Sequence, residues 1–174
     1  MSIWNKIKKT KPHSMPPEEE LRKHRCAFTG HRPEKLNRSV AEIKEALRRP
    51  IYQSVEDGYA VFITGMARGV DLWAAEIVLE LRKTKDIKLI CAIPYDGFEL
   101  QWSKDWQSTY RSVLGRADFV YVVGKNYSRD IFMRRNMWMV NHAKRLIAVY
   151  DGSPGGTRNT IDYAHRSNIE VIIV

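Results

Sequence analysis

A chain of 174 residues, 44% of them hydrophobic, is long enough to bury one sizeable core and too short for two ordinary domains. Its formal charge of +9 and pI of about 9.6 favour acidic ligands such as nucleotides, nucleic acid or an anionic surface. Two cysteines, Cys26 and Cys91, set in apolar runs exclude a disulfide framework and a cysteine metal cluster. No apolar run reaches the length of a membrane span, and the first residues lack the apolar stretch of a signal peptide, so a reducing cytoplasm is the expected compartment.

Residues 1–23 read as a basic lead-in carrying Lys6, Lys8, Lys9, Lys11, Arg22 and Lys23, with Pro12, Pro16 and Pro17 against a long helix. Trp4 and Ile7 among these lysines fit either a membrane surface or a frayed tail. One domain, residues 24–174, is expected to follow. Arg25–Thr29 reads as the first strand and Gly30-His31-Arg32-Pro33 as the loop leaving it. Ser39 and Glu42 form a capping-box pattern. Val40, Ile43, Leu47, Ile51 and Val55 continue it as an apolar helical stripe, which Pro50 is expected to kink or divide.

Asp57-Gly58 turns into a second strand, Val61–Thr64. Gly65 to Gly69 then lead into a helix whose buried face is marked by Val70, Trp73, Ile77 and Leu81. Ile87–Ile93 is a third, nearly continuous apolar strand, as a sheet covered on both faces requires. Phe98, Trp102, Trp106, Tyr110 and Val113 recur at helical spacing, the pattern of a core-facing stripe and a candidate homodimer surface. A strand over Asp118–Val123, a helix over Ser128–Ala143 and a strand over Arg145–Tyr150 follow. A second glycine-rich loop, Asp151–Thr157, then leads to a short helix and a last strand, Ile169–Val174.

Strands alternating with helices at this spacing give an α/β fold: one Rossmann-like, doubly wound, mostly parallel sheet flanked by helices. Its glycine-bearing loops all leave strands, so they gather at one sheet edge, where such folds bind ligands. Three loops supply the candidates: Thr29, Gly30, His31 and Arg32; Thr64, Gly65, Arg68, Gly69 and Asp71; Gly155, Gly156, Thr157 and Arg158. Backbone N–H groups and helix N-termini there suit a phosphate, and an arginine fork takes two of its oxygens. Tyr95 and Phe98, beyond the third strand, fit either base stacking or plain packing. Asp71 has two open readings, a carboxylate for a ribose hydroxyl or for catalysis, and an acceptor of N–H groups in the first turn of its own helix. Arg134, Arg135 and Asn136 fit the crevice or a solvated or dimer-forming face. Neither a Gly-x-Gly-x-x-Gly fingerprint nor a Walker A sequence occurs, which argues against an NAD dehydrogenase and a P-loop ATPase.

The segments at 26–36 (Cys-Ala-Phe-Thr-Gly-His-Arg-Pro-Glu-Lys-Leu), 64–71 (Thr-Gly-Met-Ala-Arg-Gly-Val-Asp), 135–140 and 148–157 together resemble the YpsA family of the SLOG superfamily. That superfamily joins the DNA-processing protein A proteins to the LOG phosphoribohydrolases. Arg68-Gly69 with Asp71 is similar to the Ala-Arg-Gly-Ile-Asp loop of the former, which bind single-stranded DNA. Pro154-Gly-Gly-Thr157 is similar to the phosphate loop of the latter. LOG enzymes carry Pro-Gly-Gly-x-Gly-Thr-x-x-Glu, and here Arg158 and Asn159 stand at the second glycine and the threonine. Counting from Pro154 puts Asp162 at the glutamate, whereas aligning the Gly-Thr pair puts Thr160 there.

The resemblance implies a nucleotide or nucleotide-derived ligand, similar to ADP-ribose or NAD, bound by a sensor or regulator. Two alternatives stay open. One is an N-glycosidic hydrolase using Asp71 or Asp162; the other is a single-stranded-DNA binder. No metal and no fixed cofactor is implied, and related folds commonly pair into dimers.

Overall fold

The computed structural model describes residues 16–174, so the lysines and Trp4 and Ile7 of the first fifteen positions lie outside the described residues. A short helix, α1 (Glu18–Arg22), comes first and is tied to the body by Arg22, whose guanidinium donates to the Ala143 carbonyl at 3.1 Å. The described elements then alternate: β1 (Arg25–Gly30), a 3-10 turn (Pro33–Lys35), α2 (Val40–Glu56), β2 (Val61–Thr64), α3 (Val70–Leu81) and β3 (Lys88–Ile93). After these come α4 (Lys104–Gly115), β4 (Phe119–Val122), α5 (Ile131–Asn141), β5 (Arg145–Val149), α6 (Gly156–Arg166) and β6 (Glu170–Ile173).

All neighbouring strands pair in parallel, in the order β4-β3-β2-β1-β5-β6. The register sets Ala27 beside Ile63 on one flank of β1 and Phe28 beside Ile147 on the other. From β1 the chain moves outward through β2, β3 and β4, then returns to place β5 on β1's other side. The winding therefore reverses between β1 and β5, and a crevice opens there at the strands' carboxyl ends.

Alternate strand residues feed two core layers. Phe28 and Phe62, their rings stacked with centroids 5.9 Å apart, join Leu47, Ile51 and Leu72 beneath α2, α3 and α4. Ala27, Ile63 and Ala92 join Met139, Leu146 and Ile161 beneath α5 and α6. Both cysteines are buried and unpaired, and burial pushes each thiol up to about 12, so neither serves as a nucleophile. No helix among the described residues is long and apolar enough to cross a membrane.

Several elements differ from their sequence reading. Helix α2 is undivided, with Pro50 inside it. Proline forfeits one helical hydrogen bond there, but buried Ile43 and Leu47 before it and Ile51 and Ser54 after it hold both halves on the sheet. Helix α3 buries nearly its whole circumference, not a four-residue stripe, because it lies between α2 and α4 over the sheet. The aromatic stripe belongs to two elements. Residues 96–101 form turns, and α4 begins only at Lys104, after Ser103. Phe98, Trp102 and Tyr110 meet edge to face at 5.1–5.7 Å, so much of the stripe is spent on the chain's own interior. Helix α5 starts at Ile131, three residues later than its sequence pattern.

Candidate functional site

At the reversal point lies a cleft of about 340 Å³. Three loops wall it. After β1, Gly30 ends the strand against α3, where a Cβ would come within 2.5 Å of the Val70 side chain. Glycine is needed there for close strand–helix packing, and the chain emerges into the cleft as His31 and Arg32. His31 is 4% exposed. Its N–H donates to the Val149 carbonyl, and its Nε2 lies 2.9 Å from Asp151 Oδ1 and 3.3 Å from Ser153 Oγ.

The loop after β2 is held from within. Thr64 Oγ1 donates to the Asp71 carbonyl at 2.8 Å and accepts from the Met66 N–H at 3.2 Å, while Met66 takes a left-handed φ of 61°. Asp71, 5% exposed, accepts the Ala67 N–H on Oδ2 at 3.2 Å. That donor lies in the loop before the helix, not in the helix's own first turn. Burial pushes the Asp71 carboxyl up to about 6, against the opposing pull of the Arg135 charge and the Ala67 N–H. Arg135 on α5 is 7% exposed and donates to the Gly65 carbonyl at 2.6 Å and to Asn136 Oδ1 from two nitrogens. Burial lowers its pKa and Asp71 offsets part of that. Gly65 makes the pair possible: a Cβ there would sit 2.8 Å from Asp71 Oδ2 and 3.0 Å from Arg135 Nε.

The third loop ends at Gly155, φ 143°, the N-cap of α6, with no side-chain cap on the helix. Its first N–H groups, at Gly156 and Thr157, border the cleft, and a Cβ on Gly156 would meet nothing within 4 Å. Helical phase then decides which later side chains turn inward. Thr157, Thr160, Ile161 and Ala164 are buried, with Thr160 donating to the Gly156 carbonyl. Arg158 and Asp162 are on the outer face, paired with each other at 3.7 Å. The inward position is thus the one reached by aligning the Gly-Thr pair, and it carries a threonine. Neither Asp162 nor Arg158 lines the cleft, which corrects both expectations.

The opposite wall is aromatic: Phe98, Trp102 and Phe132. Arg68 bridges the two walls, ion-paired to Glu34 at 3.0 Å and lying 6.0 Å from the Trp102 ring centroid. Tyr95 is not among the lining residues; it packs edge-on behind Phe98 and Phe132. Thr64, Gly65 and Gly69 also stand behind the surface, where they shape the loop. Gly69, φ 90°, packs against Pro33, which joins the first loop to the second. Thr29, Gly30, His31, Arg32, Arg68, Asp71, Gly155, Gly156 and Thr157 do meet at the cleft.

Lys35, Trp102 and Phe132 line it without having been singled out in the sequence as ligand contacts. Phe132 was legible in principle, because it shares a helix face with Arg135 and Asn136 at spacings of three and four. Lys35 follows Arg32 by one 3-10 turn. Arg32 and Lys35 have no ion-pair partner among the described residues, so the cleft holds free positive charge. Among those residues no three His, Cys, Asp or Glu side chains gather as metal ligands would.

Comparison with known proteins matches residues 26–170 to a family model described as the YspA SLOG family. A UPF0398 protein of Bacillus thuringiensis (strain Al Hakam) is 33% identical over 150 residues, covering 80% of this chain and 82% of the relative. A UPF0398 protein of Bacillus cereus (strain B4264) matches at the same identity and coverage. Among solved structures, DNA processing protein A from Streptococcus pneumoniae superposes with a TM-score of 0.63 at 18% identity, over 88% of this chain and 50% of that one. DNA processing protein A from Helicobacter pylori, described with a single-stranded DNA binding mode, gives 0.64 at 17% identity, over 90% and 66%. The Moco carrier protein of Chlamydomonas rheinhardtii gives 0.54 at 18%, over 87% and 76%. This chain thus spans half to two thirds of the length of the DNA processing proteins, and these likenesses are of fold.

Proposed function

The chain belongs to the YspA SLOG family, and from that premise we propose that it binds a phosphate-bearing nucleotide or nucleotide derivative in the cleft between β1 and β5, as a sensor or regulator. One observation carries the reading. Arg32, Lys35, Arg135 and the uncapped N-terminus of α6 border the same cleft as Phe98, Trp102 and Phe132. A phosphate accepts from guanidinium forks and helix N–H groups, while a base is an apolar ring that stacks on aromatic side chains. A nucleotide carries both parts. The sugar falls between them. The whole-protein activities of the structural neighbours enter only as precedent for the class of ligand.

Thermal unfolding against AMP, ADP, ADP-ribose, NAD, cyclic nucleotides and a short DNA oligonucleotide tests this. At a concentration 100 times its Kd, a ligand of the folded state adds about 2.7 kcal/mol. That raises the midpoint by about 5–10 °C for a chain of this size. A small nucleotide is expected to do so, and Arg32→Met combined with Lys35→Met to remove the shift without lowering the unliganded midpoint. A shift with the oligonucleotide alone, falling steeply with added salt, would move the site to single-stranded DNA. No shift with any of them would overturn the reading.

A second reading rests on Asp71, a buried carboxylate at the cleft with its pKa raised to about 6. Such a group activates water to add to the anomeric carbon while the N-glycosidic bond breaks, giving free base and sugar phosphate. Release of free base from AMP, abolished in Asp71→Asn, is its signature. AMP recovered intact after binding would leave the sensor reading alone.

A further inference from the structure

His31 and Asp151 form a dyad whose chemistry is not accounted for by holding phosphate. Asp151 Oδ1 accepts the Ser153 N–H at 2.9 Å and lies 2.9 Å from His31 Nε2, an ion-pair contact. Ser153, through its hydroxyl and its N–H, holds the Asp151 carboxyl below the usual carboxylate range, so the oxygen facing Nε2 is anionic at neutral pH. An anionic acceptor at Nε2 draws the ring proton to that nitrogen. Whenever the imidazole is neutral, Nδ1 is therefore left with its lone pair. Nδ1 makes no hydrogen bond among the described residues and is not one of the wholly buried atoms lacking a partner, so it keeps a small exposure in a side chain, 3% exposed, that lines the cleft.

The cleft is otherwise rich in donors, and besides His31 its charged acceptor is the Asp71 carboxylate, which already takes the Ala67 N–H on Oδ2. Arg32, Lys35, Arg68, Arg135 and the α6 N–H groups all donate, and the Asn136 carbonyl oxygen is already taken by Arg135. A free acceptor there serves a ligand group that brings a hydrogen, and on a nucleotide away from its base that is a sugar hydroxyl. We propose that Asp151 is a positioning residue that fixes His31 with its proton on Nε2, so that Nδ1 accepts a ribose hydroxyl and the site selects ribonucleotides over deoxyribonucleotides. This rests on the nucleotide reading of the cleft.

The test is calorimetric binding of AMP, 2′-deoxy-AMP and 3′-deoxy-AMP to the full chain, together with nitrogen-15 NMR of the His31 ring. AMP is expected to bind at least about tenfold more tightly than one of the deoxynucleotides, because a site built for a hydroxyl leaves a polar atom unpaired without it. The free protein is expected to show the Nε2–H tautomer. In Asp151→Ala the nearest partner of Nε2 becomes Ser153 Oγ, whose hydrogen is donated to it, so the proton moves to Nδ1 and the discrimination collapses. Asp151→Asn keeps an oxygen for both donors and is expected to restore the tautomer and the preference; a merely structural role for Asp151 would move neither. Equal binding of the three nucleotides would overturn the hydroxyl contact alone, and binding of none would remove the nucleotide reading with it. An Nδ1–H tautomer in the wild-type protein would overturn the dyad directly, whether or not Asp151→Ala folds.

Discussion

Gly65 shows how one residue carries both fold and site. Its missing side chain leaves room for Asp71, Arg135 and Met139, whose sulfur a Cβ would approach to 3.0 Å. Gly65→Ala is expected to cost about 1–3 kcal/mol in urea unfolding, the usual penalty of overpacking. Asp71 has a second measurable consequence. Its folded pKa, about 6, stands above the ordinary 3.8, so the folded state binds the proton more tightly than the unfolded chain. The resulting cost is fully present above pH 6 and is relieved as pH falls toward 4; its size is about 3 kcal/mol. Urea midpoints of wild type and Asp71→Asn, compared at pH 7 and pH 4, are expected to move toward favouring the wild type at the lower pH by about that amount; a constant difference would contradict it. The sequence marked both Gly65 and Asp71 through the turn they occupy. It left Arg135, seventy residues beyond Gly65, between the crevice and an outer face, because that contact depends on how α5 packs beneath the sheet.

At the scale of elements, periodicity was a good guide to burial and a poor one to boundaries. Ser39 and Glu42 close a full capping box, as their spacing implied, and α2 begins at Val40. Pro50 did not divide that helix, since packing on both sides outweighs one lost hydrogen bond. In α6 the outcome turned on phase. The inward set of Thr157, Thr160, Ile161 and Ala164 puts Asp162 in solvent beside Arg158, a fact that counting residues from Pro154 missed. Asp162→Asn is therefore expected to change neither nucleotide affinity nor stability by more than about 0.5 kcal/mol. Loss of binding or turnover in that variant would restore it to the site. The stretch from Phe98 to Trp102 has helical spacing but turns instead, because Gly97 takes a φ of 81° and Ser103 opens the helix only afterwards. That turn is what brings Phe98 and Trp102 to the cleft.

Across the whole molecule, the two ends of the sheet do different work. At the amino end, Arg145 donates to Ser54, Asp57 and Glu170 and lies 4.4 Å from the Tyr59 ring centroid, tying β5 to α2 and β6. Arg145→Met keeps the apolar stem and loses these bonds. It is expected to cost about 2 kcal/mol, since its carboxylate partners stay partly hydrated, and to leave nucleotide affinity unchanged. Coupled loss of both would show that the two ends are not independent. The parallel sheet and its carboxyl-edge loops were legible from the alternation of strands and helices, and the position of the cleft follows from the winding reversal between β1 and β5. The most direct measurement is an amide NMR titration of the full chain with AMP. Saturable shifts are expected at residues 30–35, 66–71, 135–136 and 155–158, with the amino-end residues around Arg145 unmoved. Saturable shifts centred elsewhere, or none at millimolar AMP, would contradict the cleft as a nucleotide site.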